Sequence, residues 1–166
     1  VCVQDGETAW VIDEITIYSS NTNEMCEEIK RRYPQRGVIV YPDASGVRRT
    51  TASTGITDHL ILQQHGFSVR TGSTNPPVAE RIAAVNSRLR NRENQHKLYI
   101  DPKCKQLREG LIKMVYKEGT RQPDKSSGYD HITDALGYYI ERTWPIRHNR
   151  TEPYMPTRRS TGRSMR

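Results

Sequence analysis

Three side chains in this sequence have the types and spacing to share a cation. Asp43 follows the apolar run Val38-Ile39-Val40-Tyr41 after a single proline and precedes Ala44-Ser45-Gly46. A β-branched run of that length reads as a strand covered on both faces, so Asp43 stands at a strand's C-terminal end, where open α/β sheets gather ligands. His131 and Asp134 lie three residues apart in a segment read as helix, a spacing that puts imidazole and carboxylate on one face. Carboxylates with one imidazole suit magnesium or manganese better than a thiolate-loving metal. Two such ions about 4 Å apart activate a water and stabilise the leaving oxygen of a phosphodiester, so the chemistry indicated is metal-assisted phosphodiester hydrolysis. Asp130, one step round the same helix, and Glu14 are second-rank ligands. Arg48, Arg49 and Lys125 flank the motifs and are candidates to hold phosphates. Each piece also has a structural reading: an Asx turn for Asp43, a dipole-favoured acid for Asp130, a strand-orienting pair for Asp13 and Glu14, and solvated surface for the basic residues.

The elements that must position these residues follow from periodicity and turn chemistry. Residues 1–4, Asp5-Gly6 and residues 8–17 read as a β-hairpin. Met25, Cys26, Ile29 and Tyr33 mark an amphipathic helix behind N-cap candidates at 20–23, ended by Pro34 and Gly37. Thr57 or Asp58 caps a helix that runs to His65 and closes at Gly66, and residues 67–70 form a short strand. Pro76-Pro77 opens a helix with Val78, Ile82, Val85 and Leu89 on one face and Arg81, Arg88 and Arg90 elsewhere. A strand over 97–100, a helix over 103–116, a Gly/Ser/Pro-rich loop over 118–129 and a helix over 130–141, stopped by Trp144-Pro145, complete the pattern. Strands alternating with helices after a hairpin give an α/β domain with a mixed sheet.

The 166 residues suit one domain, over 1–146, with a basic tail over 147–166 expected to be disordered. The chain is polar, with 34% hydrophobic residues and a mean hydropathy of −0.83. Its apolar runs are far short of the ~20 residues that span a bilayer, so no membrane association is expected. Cys2, Cys26 and Cys104 form no CxxC pair and read as reduced thiols of an intracellular protein. The net charge of +7 favours a polyanionic partner. Six arginines against Glu152 place +5 of that charge after residue 142, leaving +2 for the body.

Five pieces, in order, resemble one family: Ile12-Asp13-Glu14-Ile15; Tyr41-Pro42-Asp43-Ala44-Ser45-Gly46; residues 77–86 (PVAERIAAVN); Ile100-Asp101-Pro102-Lys103-Cys104; and Asp124-Lys125 followed by Tyr129-Asp130-His131-Ile132-Thr133-Asp134-Ala135-Leu136. Together they resemble the C-terminal nuclease domain of the large terminase subunit of tailed bacteriophages, over roughly residues 1–146. The resemblance implies an RNase H-like mixed sheet with helices on both faces and an endonuclease that cuts concatemeric viral DNA during packaging. It implies a two-ion magnesium or manganese site, with metal-binding acids at Asp43 and Asp134 and a histidine matched by His131. The implied partners are double-stranded viral DNA, the portal protein and the small terminase subunit, in the cytoplasm of a bacterial host. Family members also carry a first catalytic aspartate on a central strand before the hairpin, in a Gly-x-Asp-Phe-like segment, whereas this sequence begins inside the hairpin. The expectation is therefore a domain lacking its first central strand, weak or inactive as a nuclease, with exposed strand edges prone to pair with another chain as a homo-oligomer. No P-loop is present, so no ATPase is expected in this segment. Two other readings stay open: a Holliday-junction-resolvase-like nuclease of the same fold, and a non-catalytic DNA- or portal-binding module.

Overall fold

The computed structural model describes residues 1–34, 37–47, 55–120, 123–124 and 128–146. Arg48, Arg49, Lys125 and the whole basic tail lie outside the described residues. The hairpin forms from β1 (Cys2–Asp5) and β2 (Thr8–Val11), paired antiparallel with Val3 opposite Trp10. Gly6, at φ +54°, supplies the left-handed turn residue that Asp-Gly promises. β2 stops at Val11, well short of residue 17, because Asp13 and Glu14 are drawn off the sheet by two helices.

α1 (Thr22–Arg32) starts at Asn21, which forms a capping box with Glu24. α2 (Asp58–Gln64) starts at Thr57, whose hydroxyl accepts from the Leu60 N–H, and the chain turns at Gly66 with φ +84°. Between and after them come the parallel strands β3 (Ile39–Val40) and β4 (Ser68–Val69). Cys26, Ile61, Leu62 and Phe67 form the small core that binds α1 and α2 to this pair.

α3 (Val78–Leu89), β5 (Leu98–Ile100), α4 (Lys105–Lys113) and α5 (Asp130–Thr143) build the larger core. β5 joins β2 in parallel, giving a mixed three-stranded sheet in the order β1-β2-β5. Ala9, Val11 and Leu98 face inward against Ala84, Val85, Leu107, Leu136 and Ile140. The opposite face carries a row of Val3, Trp10 and Tyr99, with the two rings stacked at 4.4 Å and both residues more than 40% exposed. The architecture is thus α/β, as the sequence predicts, with α1 and α2 packed on the β3-β4 pair and α3 to α5 on the three-stranded sheet.

Among the described residues the strands form two sheets instead of one. β1 is an edge strand of the first, as β5 is, and β3 an edge strand of the second. Both line one cavity of about 510 Å³, whose walls include Ile29 and Tyr33 on the α1 side and Ala135 and Tyr139 on the α5 side. The Ile12 N–H donates to the Val1 carbonyl, which sets the hairpin's bonding pairs and turns the backbone groups of Cys2 and Gln4 toward this slot. Ser68 and Arg70 bond back to the Val38 and Val40 carbonyls, so Ile39 likewise directs its backbone away from β4. The run Val38 to Tyr41 reads in sequence as covered throughout. Ile39 is instead 41% exposed, because this slot adjoins it.

Candidate functional site

Asp43 leaves the end of β3 into a 3₁₀ turn over Ala44–Val47. Its Oδ1 accepts the Ser45 N–H at 2.6 Å, closing the Asx turn, and an Asn75 amide N–H at 2.7 Å. Its Oδ2 accepts the Tyr138 hydroxyl at 3.1 Å. Partial burial by itself pushes the carboxyl's pKa up. The donors from Asn75, Ser45 and Tyr138 outweigh it and bring the pKa down to about 2, so the carboxylate is charged at neutral pH.

Two further side chains hold the backbone here. The Asn75 carbonyl oxygen accepts the Ala44 N–H at 2.8 Å, so one amide clamps both residues of the turn. The buried His59 of α2 contacts the Asp43 carbonyl through Nε2 at 2.8 Å. Gly46 is required at that spot, because a Cβ would lie 2.7 Å from the His59 ring. The loop bearing Asn75 is itself tied to α5, where Arg142 donates to the Thr74 carbonyl at 2.7 Å.

Asp134 comes from the first half of α5 and is partly exposed. Its Oδ1 lies 2.9 Å from Arg81 Nη1. The Arg81 guanidinium also rests 4.3 Å above the Tyr138 ring. Tyr138 thus bonds Asp43 at its hydroxyl end and carries Asp134's partner on its face, so the structure joins the two acids through one tyrosine. Burial raises the Tyr138 pKa, Arg81 lowers it, and both Asp43 and Asp134 push it up, which keeps the phenol a donor.

The other expected residues are placed differently. His131 is exposed on the first turn of α5, and no bond connects it to Asp43 or Asp134. Asp130 is buried at the start of α5. Glu14 lies elsewhere: Oε1 and Oε2 accept the Gln106 and Leu107 N–H groups, so it caps α4. Asp13 accepts from Arg32 and the Tyr33 hydroxyl, tying the same segment to α1. Among the described residues no group of three or more His, Cys, Asp or Glu side chains is placed to hold a metal ion. Two hard oxygen donors remain, the second lone pair of Asp43 Oδ2 and the exposed side of Asp134, and both suit magnesium or manganese.

Sequence reasoning passes over Asn75, His59, Tyr138 and Arg81. Of these, Tyr138 has a local signal, standing four residues after Asp134 on the same helical face. Arg81 reads as lying off the apolar face of its helix, yet it is only 5% exposed. The cause is Gly137, whose lack of a side chain lets α5 approach until its hydrogen stands where a Cβ would lie 3.2 Å from Arg81 Cβ.

Solved structures share this fold. The large terminase of a thermophilic bacteriophage superposes with a TM-score of 0.62 at 20% identity, over 84% of this chain and 34% of that one. The same terminase in complex with ATP-γ-S gives a TM-score of 0.64 at 19% identity, over 84% and 35%. The fold is terminase-like. This chain spans about a third of the length of those terminases. No family model and no curated protein matches the sequence. Among the described residues no helix is long and apolar enough to cross a membrane.

Proposed function

We propose that this domain is a metal-dependent endonuclease of phage DNA packaging, acting on double-stranded viral DNA with magnesium or manganese. The observation that carries the reading is the convergence of Asp43 and Asp134 on Tyr138 and Arg81, at the C-terminal end of β3, in a fold shared with large terminases. Asp43 and Asp134 would hold the ion, and Asn75, His59 and Tyr138 orient Asp43. A bound divalent ion would supply an activated water and neutralise charge on the phosphodiester. His131, exposed one turn before Asp134, stays a candidate ligand.

Both acids are already engaged, and two carboxylates are few for one ion and fewer for two. The 166-residue chain by itself is therefore proposed to cut DNA weakly or not at all. The slot between β1 and β3 supports a further part of the reading, since the family resemblance places another aspartate on a strand before the hairpin. That slot offers backbone groups from both edges and apolar walls to one added strand. Pairing of these edges between copies, and contacts with a portal protein and a small terminase subunit, are proposed on the same basis.

The engagement of both acids also favours a second reading, a non-catalytic DNA-binding or assembly module. Thermal melts with manganese and a plasmid-nicking assay separate the two. The nuclease reading expects manganese to raise the melting temperature and Asp43→Asn to remove that gain. If manganese has no effect, and DNA binding disappears on deletion of residues 147–166, the module reading replaces it. Robust nicking by this chain that survives Asp43→Ala would remove Asp43 from the site.

A further inference from the structure

We propose that Arg81 is a built-in counter-cation of the site, occupying the charge position at Asp134 that a divalent ion must take, and so holds the site in a low-affinity state. The inference rests on the reading of Asp43 and Asp134 as ion ligands and deepens it. Arg81 belongs to α3 and Asp134 to α5, so the pair spans the contact between two helices of the larger core. The arginine side chain is 6% exposed and that of Asp134 29%, so the anion can be reached from solvent while the cation is held inside.

The way Arg81 is held distinguishes it from an ordinary structural ion pair. Nη1 approaches Asp134 Oδ1 to 2.9 Å, yet among the described residues neither Nη1 nor Nε has a well-aligned hydrogen-bond partner. The contact is therefore a charge pair without directional bonds. A desolvated guanidinium normally requires several such bonds to be stable. Among the described residues its further support is the Tyr138 ring beneath it and the bare backbone of Gly137 along its stem. Arg81 and Asp134 also line a second cavity of about 180 Å³, with Asn86, Met114 and Thr133, which gives the guanidinium space to move when its anion is taken.

A doubly charged ion held by Asp134 would meet the guanidinium charge at close range, since Nη1 lies 2.9 Å from Oδ1. In a partly hydrated site, repulsion at that range weakens ion binding by on the order of 10-fold or more. Linkage makes the effect reciprocal: whatever draws Arg81 away raises the ion affinity, and a bound ion frees Arg81. Because Tyr138 touches both Arg81 and Asp43, the release is felt at the second carboxylate too.

Manganese binding to the full 166-residue chain, followed by calorimetry or electron paramagnetic resonance, tests this with Arg81→Met and Arg81→Lys. The proposal expects Arg81→Met to bind manganese about 10-fold tighter than the wild type, and Arg81→Lys, which keeps the charge, to stay within about threefold of it. Equal or weaker binding by Arg81→Met, with Asp43→Asn still abolishing binding, overturns the counter-cation and leaves the metal site standing. No binding by any of these proteins overturns both. The wild type supplies a measurement independent of mutant folding. In ¹H–¹⁵N spectra the Arg81 Nε–H is expected to be shielded from water exchange without metal and to lose that protection on addition of magnesium. An Nε–H signal that stays protected while Asp134 amide signals move would show that the ion and Arg81 do not compete.

Discussion

Replacing Glu14 separates a helix-capping role from a metal-ligand role, and the structure fixes its size. Both carboxylate oxygens accept backbone N–H groups at the start of α4, Gln106 at 3.0 Å and Leu107 at 2.9 Å. Those groups have no partner within the helix, so Glu14→Ala leaves them to water or unpaired. Loss of an N-terminal side-chain cap typically costs about 1 kcal/mol. Loss of a negative charge at the positive end of the helix dipole costs up to about 1 kcal/mol more. The sum, about 2 kcal/mol, corresponds to a drop of roughly 4 to 8 °C in melting temperature for a domain of this size. Urea melts at pH 7 should show a lower midpoint with an unchanged slope, and Glu14→Gln should fall between the two because one acceptor oxygen survives. The manganese-induced rise in melting temperature should be the same size in Glu14→Ala as in the wild type. An unchanged midpoint combined with loss of the manganese response would refute the capping assignment and return Glu14 to the ligand set.

Other perturbations have equally definite outcomes. Asp43 has a pKa of about 2 in the folded chain against about 3.9 unfolded, so its charged form stabilises the fold above pH 4 and that contribution fades as the pH falls toward 2. Discounted for solvent screening of an exposed residue, Asp43→Asn should cost about 1 kcal/mol at pH 7, with the difference from wild type closing between pH 4 and 2 in denaturant melts. Gly46→Ala drives a methyl group into His59 and should destabilise by about 1–3 kcal/mol, read as a lower urea midpoint. Ile140→Ala empties a fully buried position in the larger core and should cost about 2–5 kcal/mol in the same assay, with a manganese response retained wherever the protein stays folded.

Most of the scaffold was legible because its signals are local. Asp5-Gly6, the N-cap candidates at 20–23, Thr57 and Gly66 each act within a few residues, and the turns and caps they announce are present. Asp43 is found by its place after an apolar run and Asp134 by helical spacing. Their connection is not, since it depends on a tyrosine hydroxyl reaching 95 residues back along the chain. The division of the sheet and the burial of Arg81 are tertiary effects of the same kind. A charged residue off the apolar stripe reads as solvated surface, and only the close approach at Gly137 shows that a second helix covers it. Asn75 lies before two prolines in a loop with no periodicity, where no local rule distinguishes a clamp from a linker.

Manganese titration of the wild type, Asp43→Asn and Asp134→Asn, read by electron paramagnetic resonance of the free ion, tests most directly whether these two acids form one site. A shared site predicts that each single substitution removes the same binding event and that the double variant loses nothing further. Binding that survives either substitution at wild-type affinity would show that Asp43 and Asp134 do not hold a common ion.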